Sequence, residues 1–314
     1  MVYFFSLIGG GWQIEISDYI GSKIVTDVLY KEGGYALTHV GCIRRSDNSG
    51  FSNADAEKCL LMIRFFLSFA QGRWMIPILP TGFGKNDNKI WEQLSTPSGE
   101  PWSRNVLSWW AREHSDQLIE SFPGFVQRWQ NDDWKDTIHE ALSWYFEANS
   151  SHISIEAKII LTQAAIELIS FEHVVKSKRL IEKEGFKRLR ASDKFRLLLS
   201  SLGIPIDLPK QLPKLIEEAT RLTWMDGPHA LTEVRNSIVH PEHKRRGQLD
   251  SILLEAWNLG LWYLELSLLS ICNYRGTYAN RMILPQMSGK IDPVPWVHGI
   301  PRTENTNSYS NPVE

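Results

Sequence analysis

The spacing of apolar residues changes about one third of the way along the chain. Before that point, apolar residues occur in short runs rich in β-branched and aromatic side chains, a pattern typical of strands. Gly33-Gly34 separates two such runs and predicts a β-hairpin. One helix interrupts the strands: Ser52 and Asp55 have the spacing of a capping box, and Gly72 can end the helix. Strands are predicted for residues 24–30, 35–44, 73–79 and 89–94.

From about residue 109 onward the pattern is helical. Residues 153–175 are apolar almost all round, which is typical of a central helix that its neighbours bury. Pro228 occupies a favoured position at the start of a shorter helix, and Pro241 ends that helix. Further helices are predicted for residues 132–149, 192–202, 212–222 and 249–273.

These patterns predict an α+β protein with a small N-terminal α/β module and an all-α helical bundle. The turn-rich sequence TPSGEPW places the boundary near residue 110. We therefore expect a module over residues 1–110 with a regulatory or sensing role, and a helical domain over residues 111–285. Residues 286–314 are rich in proline and asparagine and should form an irregular tail.

Composition excludes several classes of protein. The chain has 314 residues, 43% of them hydrophobic and 22% charged, so it can bury an ordinary globular core. Its three cysteines form no CxxC pair, which argues against a disulfide scaffold or a cysteine-rich zinc module. The apolar N-terminus lacks the basic start of a signal peptide. We therefore expect a cytoplasmic protein that does not enter a membrane.

Charge limits the contacts that nucleic acid can make. Lys and Arg total 34 against 36 for Asp and Glu, giving a net charge of −2, so RNA would have to bind a local basic patch. Residues 176–196 hold nine basic and three acidic side chains and are one candidate. The 13 tryptophans could stack on bases, but those in the predicted helices are better explained by core packing.

The residues most suggestive of chemistry are Arg235, Asn236 and His240, at the end of the helix that Pro228 begins. An Arg-Asn-x3-His pattern is expected by chance only about 0.02 times in a chain of this composition. Histidine can accept or give a proton near neutral pH, and arginine can bind a phosphate through two nitrogens. Arg235 and His240 are about 140° apart around an ideal helix, so one copy does not bring them together tightly.

The sequence RNSIVHPEHKRR resembles the motif of the HEPN superfamily, whose ribonuclease members carry Arg-polar-x3-His in a helical bundle. The later WYLELSLLSICNYRGTYANR is similar to the closing helix of ApeA-like HEPN proteins of bacterial conflict and antiphage systems. THVGCIRRSDNSGF and FFLSFAQGRWMIPILPTGF are similar to the N-terminal half of proteins with that ending. The resemblance implies a HEPN-like helical domain that pairs two copies of the motif across a two-fold axis.

On this resemblance the chain is a metal-independent endoribonuclease, in a toxin or antiphage setting, that needs no cofactor. His240 would be the acid or base, Arg235 the phosphate clamp and Asn236 the orienting residue. Four residues after the motif would track RNA: His243, Lys244, Arg245 and Arg246. The partners would be RNA, a second copy of the chain, and a protein or ligand at the N-terminal module, where Arg44-Arg45 and Arg73-Trp74 could line a sensing pocket.

Other interpretations of the motif stay open. A HEPN module can bind a nucleotide or a partner protein without catalysis. Arg235 and His240 could instead cap helix carbonyls or pair with Glu233 and Glu242 on the surface of a scaffold. His240 and His243 have the H-x-x-H spacing of a metal pair, but Pro241 breaks the helix between them and no third ligand has matching spacing.

Overall fold

The computed structural model describes residues 4–19, 21–94, 99–103, 106–240, 249–283 and 291–297. The fold is of mixed α+β type, 53% helical, with small sheets and a helical C-terminal region. The strands are β1 (Phe4–Gly9), β2 (Trp12–Asp18), β3 (His39–Arg45), β4 (Thr81–Phe83), β5 (Lys89–Glu92), β6 (Thr277–Tyr278) and β7 (Asp292–Pro293). The helices are α1 (Ser22–Glu32), α2 (Asn53–Gln71), α3 (Ser115–Trp129), α4 (Lys135–Asn149), α5 (Ile155–Ser170), α6 (Lys183–Arg188), α7 (Ala191–Ser201), α8 (Pro213–Arg221), α9 (Gly227–Val239) and α10 (Leu253–Ile271).

An antiparallel three-stranded sheet of order β1-β2-β3 opens the chain. Gly10 and Gly11 both have positive φ, the conformation that a tight two-residue hairpin turn requires. Alternate residues of β2 are buried, so one face of the sheet packs inward and β1 lies against α3. The other sheets are the two-stranded pairs β4-β5 and β6-β7.

The predicted hairpin around Gly33-Gly34 is wrong. Residues 24–30 belong to α1, in which Val25 and Leu29 recur with helical spacing and Leu29 is buried. Gly33 has a positive φ and donates its N–H to the Leu29 carbonyl, so the glycine ends a helix. Residues 73–79, predicted as a strand, are in the coil that follows α2.

The helix predicted between Ser52 and Gly72 is confirmed. The Ser52 hydroxyl accepts the Asp55 N–H, the Asp55 carboxylate accepts the Ser52 N–H, and Gly72 ends α2 with a positive φ. The central helix is confirmed as α5, which continues through a π-helix, Phe171–Ser177. Strand β5 and helices α4, α7, α8 and α10 also form close to their predicted positions.

One hydrophobic core runs from the sheet to Val294, across the predicted boundary at residue 110. Trp109 is fully buried, and its ring lies 5.3 Å from that of Phe69 and 5.9 Å from that of Tyr274. Of the tail, residues 291–297 are described: Asp292–Pro293 pairs with β6, and Val294 is buried. The division into residues 1–110, 111–285 and 286–314 stays a prediction.

In the described part of the chain, one stretch is long and apolar enough to cross a membrane by length and composition, Asp250–Ile271. Of its most apolar window, 83% is buried inside the fold.

Candidate functional site

Helix α9 carries Arg235 and Asn236, and the start of this helix is firmly fixed. The Asp226 carboxylate accepts the His229 N–H at 2.9 Å, the usual side-chain cap. The same carboxylate accepts hydrogen bonds from Nε and Nη2 of Arg196 on α7, at 2.7 and 3.0 Å. Two elements therefore hold the first turn in place, while the opposite end carries the motif.

The packing of α9 defines the position of the motif in the bundle. Gly227 lies against Tyr263 and Leu231 against Gly260, so α9 runs antiparallel to α10. Helix α10 runs parallel to α5, because Gly260 lies against Thr162 and the Trp257 ring lies under Lys158 Nζ at 4.5 Å. The end of α9 therefore lies at the same end of the bundle as the starts of α5 and α10.

At that end the three motif residues differ in exposure. Arg235 and Asn236 are half-buried, and His240 is exposed. Arg235 Nη1 donates to the Asn236 side-chain oxygen at 3.4 Å, a long hydrogen bond. The His240 N–H closes the last turn on the Asn236 carbonyl at 3.0 Å. Beyond that bond the backbone leaves the helix, with φ −104° and ψ 113° at His240.

This arrangement offers a cationic donor, an amide and an imidazole at one solvent-facing helix end. These are the group types that phosphodiester cleavage by an internal hydroxyl uses, namely a proton-transfer group and donors to the phosphoryl oxygens. His240 lies just past the end of α9 and Arg235 lies five positions earlier, so a single copy carries both groups at one end of this helix. His243, Lys244, Arg245 and Arg246 lie outside the described residues.

The basic stretch at residues 176–196 is less positive than its composition suggests. Four of its nine cations form ion pairs with carboxylates: Lys176 with Glu172, Lys187 with Glu184, Lys194 with Glu167, and Arg196 with Asp193 and Asp226. The other five are exposed and have no carboxylate partner among the described residues: Lys178, Arg179, Lys183, Arg188 and Arg190. Ion pairs therefore reduce the positive charge of this surface, and five exposed cations remain on it.

Metal and tryptophan sites receive little support from the geometry. Among the described residues no group of three or more His, Cys, Asp or Glu side chains is placed to hold a metal ion. Trp134 and Trp262 are buried in the core, and Trp144 and Trp257 pack against it. The core accounts for these four rings, as the helical pattern predicted.

The sequence pattern missed Arg112, which no local motif marks. In the structure Arg112 is close enough to Arg73, 39 positions earlier in the chain, for its like charge to lower the pKa of Arg73. Arg73, one of the candidates for a sensing pocket, is buried, with 8% of its surface exposed. Arg44 instead forms a surface ion pair with Glu15, and Arg45 lies over the Trp12 ring.

Two family models match the chain: the YopA central domain over residues 5–105 and the YopA C-terminal domain over residues 131–292. A similar protein is the SPbeta prophage-derived uncharacterized protein YopA of Bacillus subtilis (strain 168), 34% identical over 290 residues. The match covers 91% of this chain and 64% of the relative, so the chain spans less than two thirds of the relative's length. No solved structure matches. The YopA C-terminal domain model matches more than half of the chain, which shows that the chain belongs to the YopA family.

Proposed function

We propose that this protein is a metal-independent endoribonuclease of the HEPN type. The observation that carries the proposal is the placement of Arg235, Asn236 and His240 together at a solvent-facing end of the helical bundle. Neither family description names the HEPN superfamily, so this assignment, and with it a HEPN-like bundle, rests on the motif and its position. The relative's name adds only a prophage origin, which fits a role in phage–host conflict.

The reaction proposed for this site is an intramolecular transesterification of RNA, in which the 2′-oxygen replaces the 5′-oxygen on phosphorus. A base removes the proton of the 2′-hydroxyl, the 2′-oxygen attacks phosphorus, and an acid protonates the departing 5′-oxygen. The products are a 2′,3′-cyclic phosphate and a 5′-hydroxyl. His240 serves as base or acid, Arg235 neutralises charge on the phosphoryl oxygens, and Asn236 orients one of these groups.

Two copies of the chain complete this site. One imidazole cannot be base and acid in the same step, whereas an isologous dimer places a second His240 and a second Arg235 across the axis. His240 is exposed at the end of α9, where the second copy would have to approach it. The cytoplasm, which holds RNA and is the compartment predicted from the cysteine content, is the proposed location.

The test is cleavage of total RNA by the purified protein in EDTA. Wild type should release cyclic-phosphate ends, while His240→Ala should release none. His39→Ala is the matched control, because His39 is an exposed residue of β3 whose ring nitrogen lies 3.4 Å from the Asp18 carboxylate, outside the motif. Cleavage that survives in His240→Ala, or that requires a metal ion, contradicts the proposal.

A mixing experiment tests the shared site. Arg235→Ala and His240→Ala should each be inactive alone. Equal amounts of wild type and His240→Ala, co-refolded, should show about one quarter of the activity of the same total amount of wild type, because only wild-type dimers carry both imidazoles. Retention of about one half, together with a monomeric mass in solution, argues against a shared site. RNA or nucleotide binding without cleavage by wild type would instead favour the non-catalytic HEPN alternative.

A further inference from the structure

A second cationic site lies where α1, the end of α2 and the segment before α3 meet. Arg73 directly follows the glycine that ends α2, and its Nη1 donates to the Glu100 carbonyl at 3.1 Å. Arg112 lies over the rings of Tyr30 and Trp102, 5.8 and 5.2 Å from the ring centres. Both arginines thus contact the segment 99–102, Arg73 at the Glu100 carbonyl and Arg112 at the Trp102 ring.

The positive charge at this site is balanced only in part, because Glu100 is one acid beside two arginines. In the described part of the chain no carboxylate lies within 4.0 Å of a nitrogen of Arg73 or Arg112. The neighbouring residues 95–98 and 104–105, which are not described, contain no Asp or Glu. Burial of Arg73 and the like charge of Arg112 lower the pKa of the Arg73 guanidinium to about 10, so it keeps its charge at neutral pH.

Such a charge is unfavourable as it stands, because buried ions are normally paired. Glu100 attracts Arg73 and raises the pKa of its guanidinium, but burial and the Glu147 carboxylate raise the pKa of Glu100 itself, and one carboxylate offsets at most one of the two arginine charges. An oxyanion from solution would relieve the repulsion between the two guanidinium groups. Phosphate suits this geometry, since guanidinium binds its oxygens through two nitrogens.

We propose that Arg73 and Arg112 form a binding site for a phosphate group, carried by a small ligand such as a mononucleotide. The aromatic side chains around the arginines offer a flat surface for the rest of the ligand. Tyr30 is 40% exposed and Tyr35 is 72% exposed. The Tyr30 and Trp102 rings contact edge to face at 4.8 Å, which fixes this surface. The site does not include any residue of the α9 motif.

Titration calorimetry on the full chain tests the proposal with three probes: inorganic phosphate, adenosine 5′-monophosphate and adenosine. We expect saturable binding of both phosphate probes in about 150 mM chloride, where exposed charges are screened, and no binding of adenosine. Stronger binding of the nucleotide than of free phosphate would assign the ligand to the nucleotide class. Weaker binding of the nucleotide would assign it to free phosphate.

The variants decide which residues are responsible. Arg112→Ala removes an exposed side chain and should weaken phosphate binding at least tenfold, and Arg73→Gln should abolish it. Arg44→Ala, an exposed arginine of the same half of the chain, should bind as wild type does. The proposal is overturned if wild type binds no phosphate at millimolar concentration, or if Arg112→Ala binds phosphate as tightly as Arg44→Ala. Circular dichroism of each variant confirms that it is folded.

Discussion

Replacing Arg281 with methionine should strongly destabilise the fold. The side chains of Arg281 and Glu265 are 0% and 1% exposed, so their ion pair lies fully in the core. Arg281 Nε donates to Glu265 Oε2 at 2.9 Å, and Nη2 donates to the Leu107 carbonyl at 3.1 Å. Methionine keeps most of the apolar volume but leaves the Glu265 carboxylate buried without its cation.

The expected loss is about 3–5 kcal/mol of unfolding free energy, the usual cost of removing one partner of a buried pair. The Tyr145 hydroxyl still donates to Glu265 Oε1 at 2.6 Å, which favours the lower end of that range. Glu265→Leu should lower the unfolding free energy by a similar amount, because it leaves the Arg281 guanidinium buried without its carboxylate. The double variant removes both charges, so it should be about 2–3 kcal/mol more stable than the sum of the single losses predicts.

Urea unfolding followed by tryptophan fluorescence and circular dichroism measures these differences as midpoints and slopes. The matched control is Arg44→Met, because Arg44 and Glu15 form a surface pair with side chains 53% and 29% exposed. Surface pairs contribute little to stability, so this variant should unfold at the wild-type midpoint. The argument fails if Arg281→Met is no less stable than Arg44→Met, or if the single losses simply add in the double variant.

Three further predictions concern packing, capping and pH. Gly124→Ala should lower stability by about 1–3 kcal/mol in urea unfolding, since a Cβ there would lie 1.7 Å from the Cys272 carbonyl oxygen, whereas Gly50→Ala meets no atom within 4 Å and should be neutral. Ser52→Ala should cost about 1 kcal/mol by the same measurement, because it removes the cap of α2. Burial, Lys178 and Arg128 lower the pKa of His173 to about 4 from 6.5, so the unfolded chain binds the proton first. Stability should fall as pH drops from 6.5 toward 4, and His173→Phe should flatten that part of the profile.

Local signals predicted the parts of the fold that depend on local chemistry. The capping box at Ser52 and the apolar period of α5 involve residues within one or two turns of each other, and both were confirmed. The hairpin β1-β2 could also have been predicted from the sequence, because its buried residues alternate on either side of Gly10-Gly11. Residues 24–30 were predicted as a strand because β-branched side chains favour strands. Their apolar residues nevertheless have helical spacing, and the segment forms α1.

Contacts between distant residues could not be predicted in the same way. No local motif marks Arg281 in the sequence. The packing of α4 against α10 brings Tyr145 and Glu265 to it. Arg112 likewise acquires its place beside Arg73 from the tertiary fold. The motif at Arg235 was visible because its three residues lie within six positions, but its location at one end of the bundle depends on how α9 packs against α10.

The two proposed sites lie at the same end of the helical bundle. Trp74, next to Arg73, donates to the Glu147 carboxylate near the end of α4, and Trp257 near the start of α10 donates to the Ala148 carbonyl. That start of α10 lies beside the end of α9, which carries the motif. Each site nevertheless has its own residues, so Arg112→Ala tests phosphate binding and His240→Ala tests RNA cleavage. An Arg112→Ala protein that loses phosphate binding and also cleaves RNA at a changed rate would show that this shared end couples them.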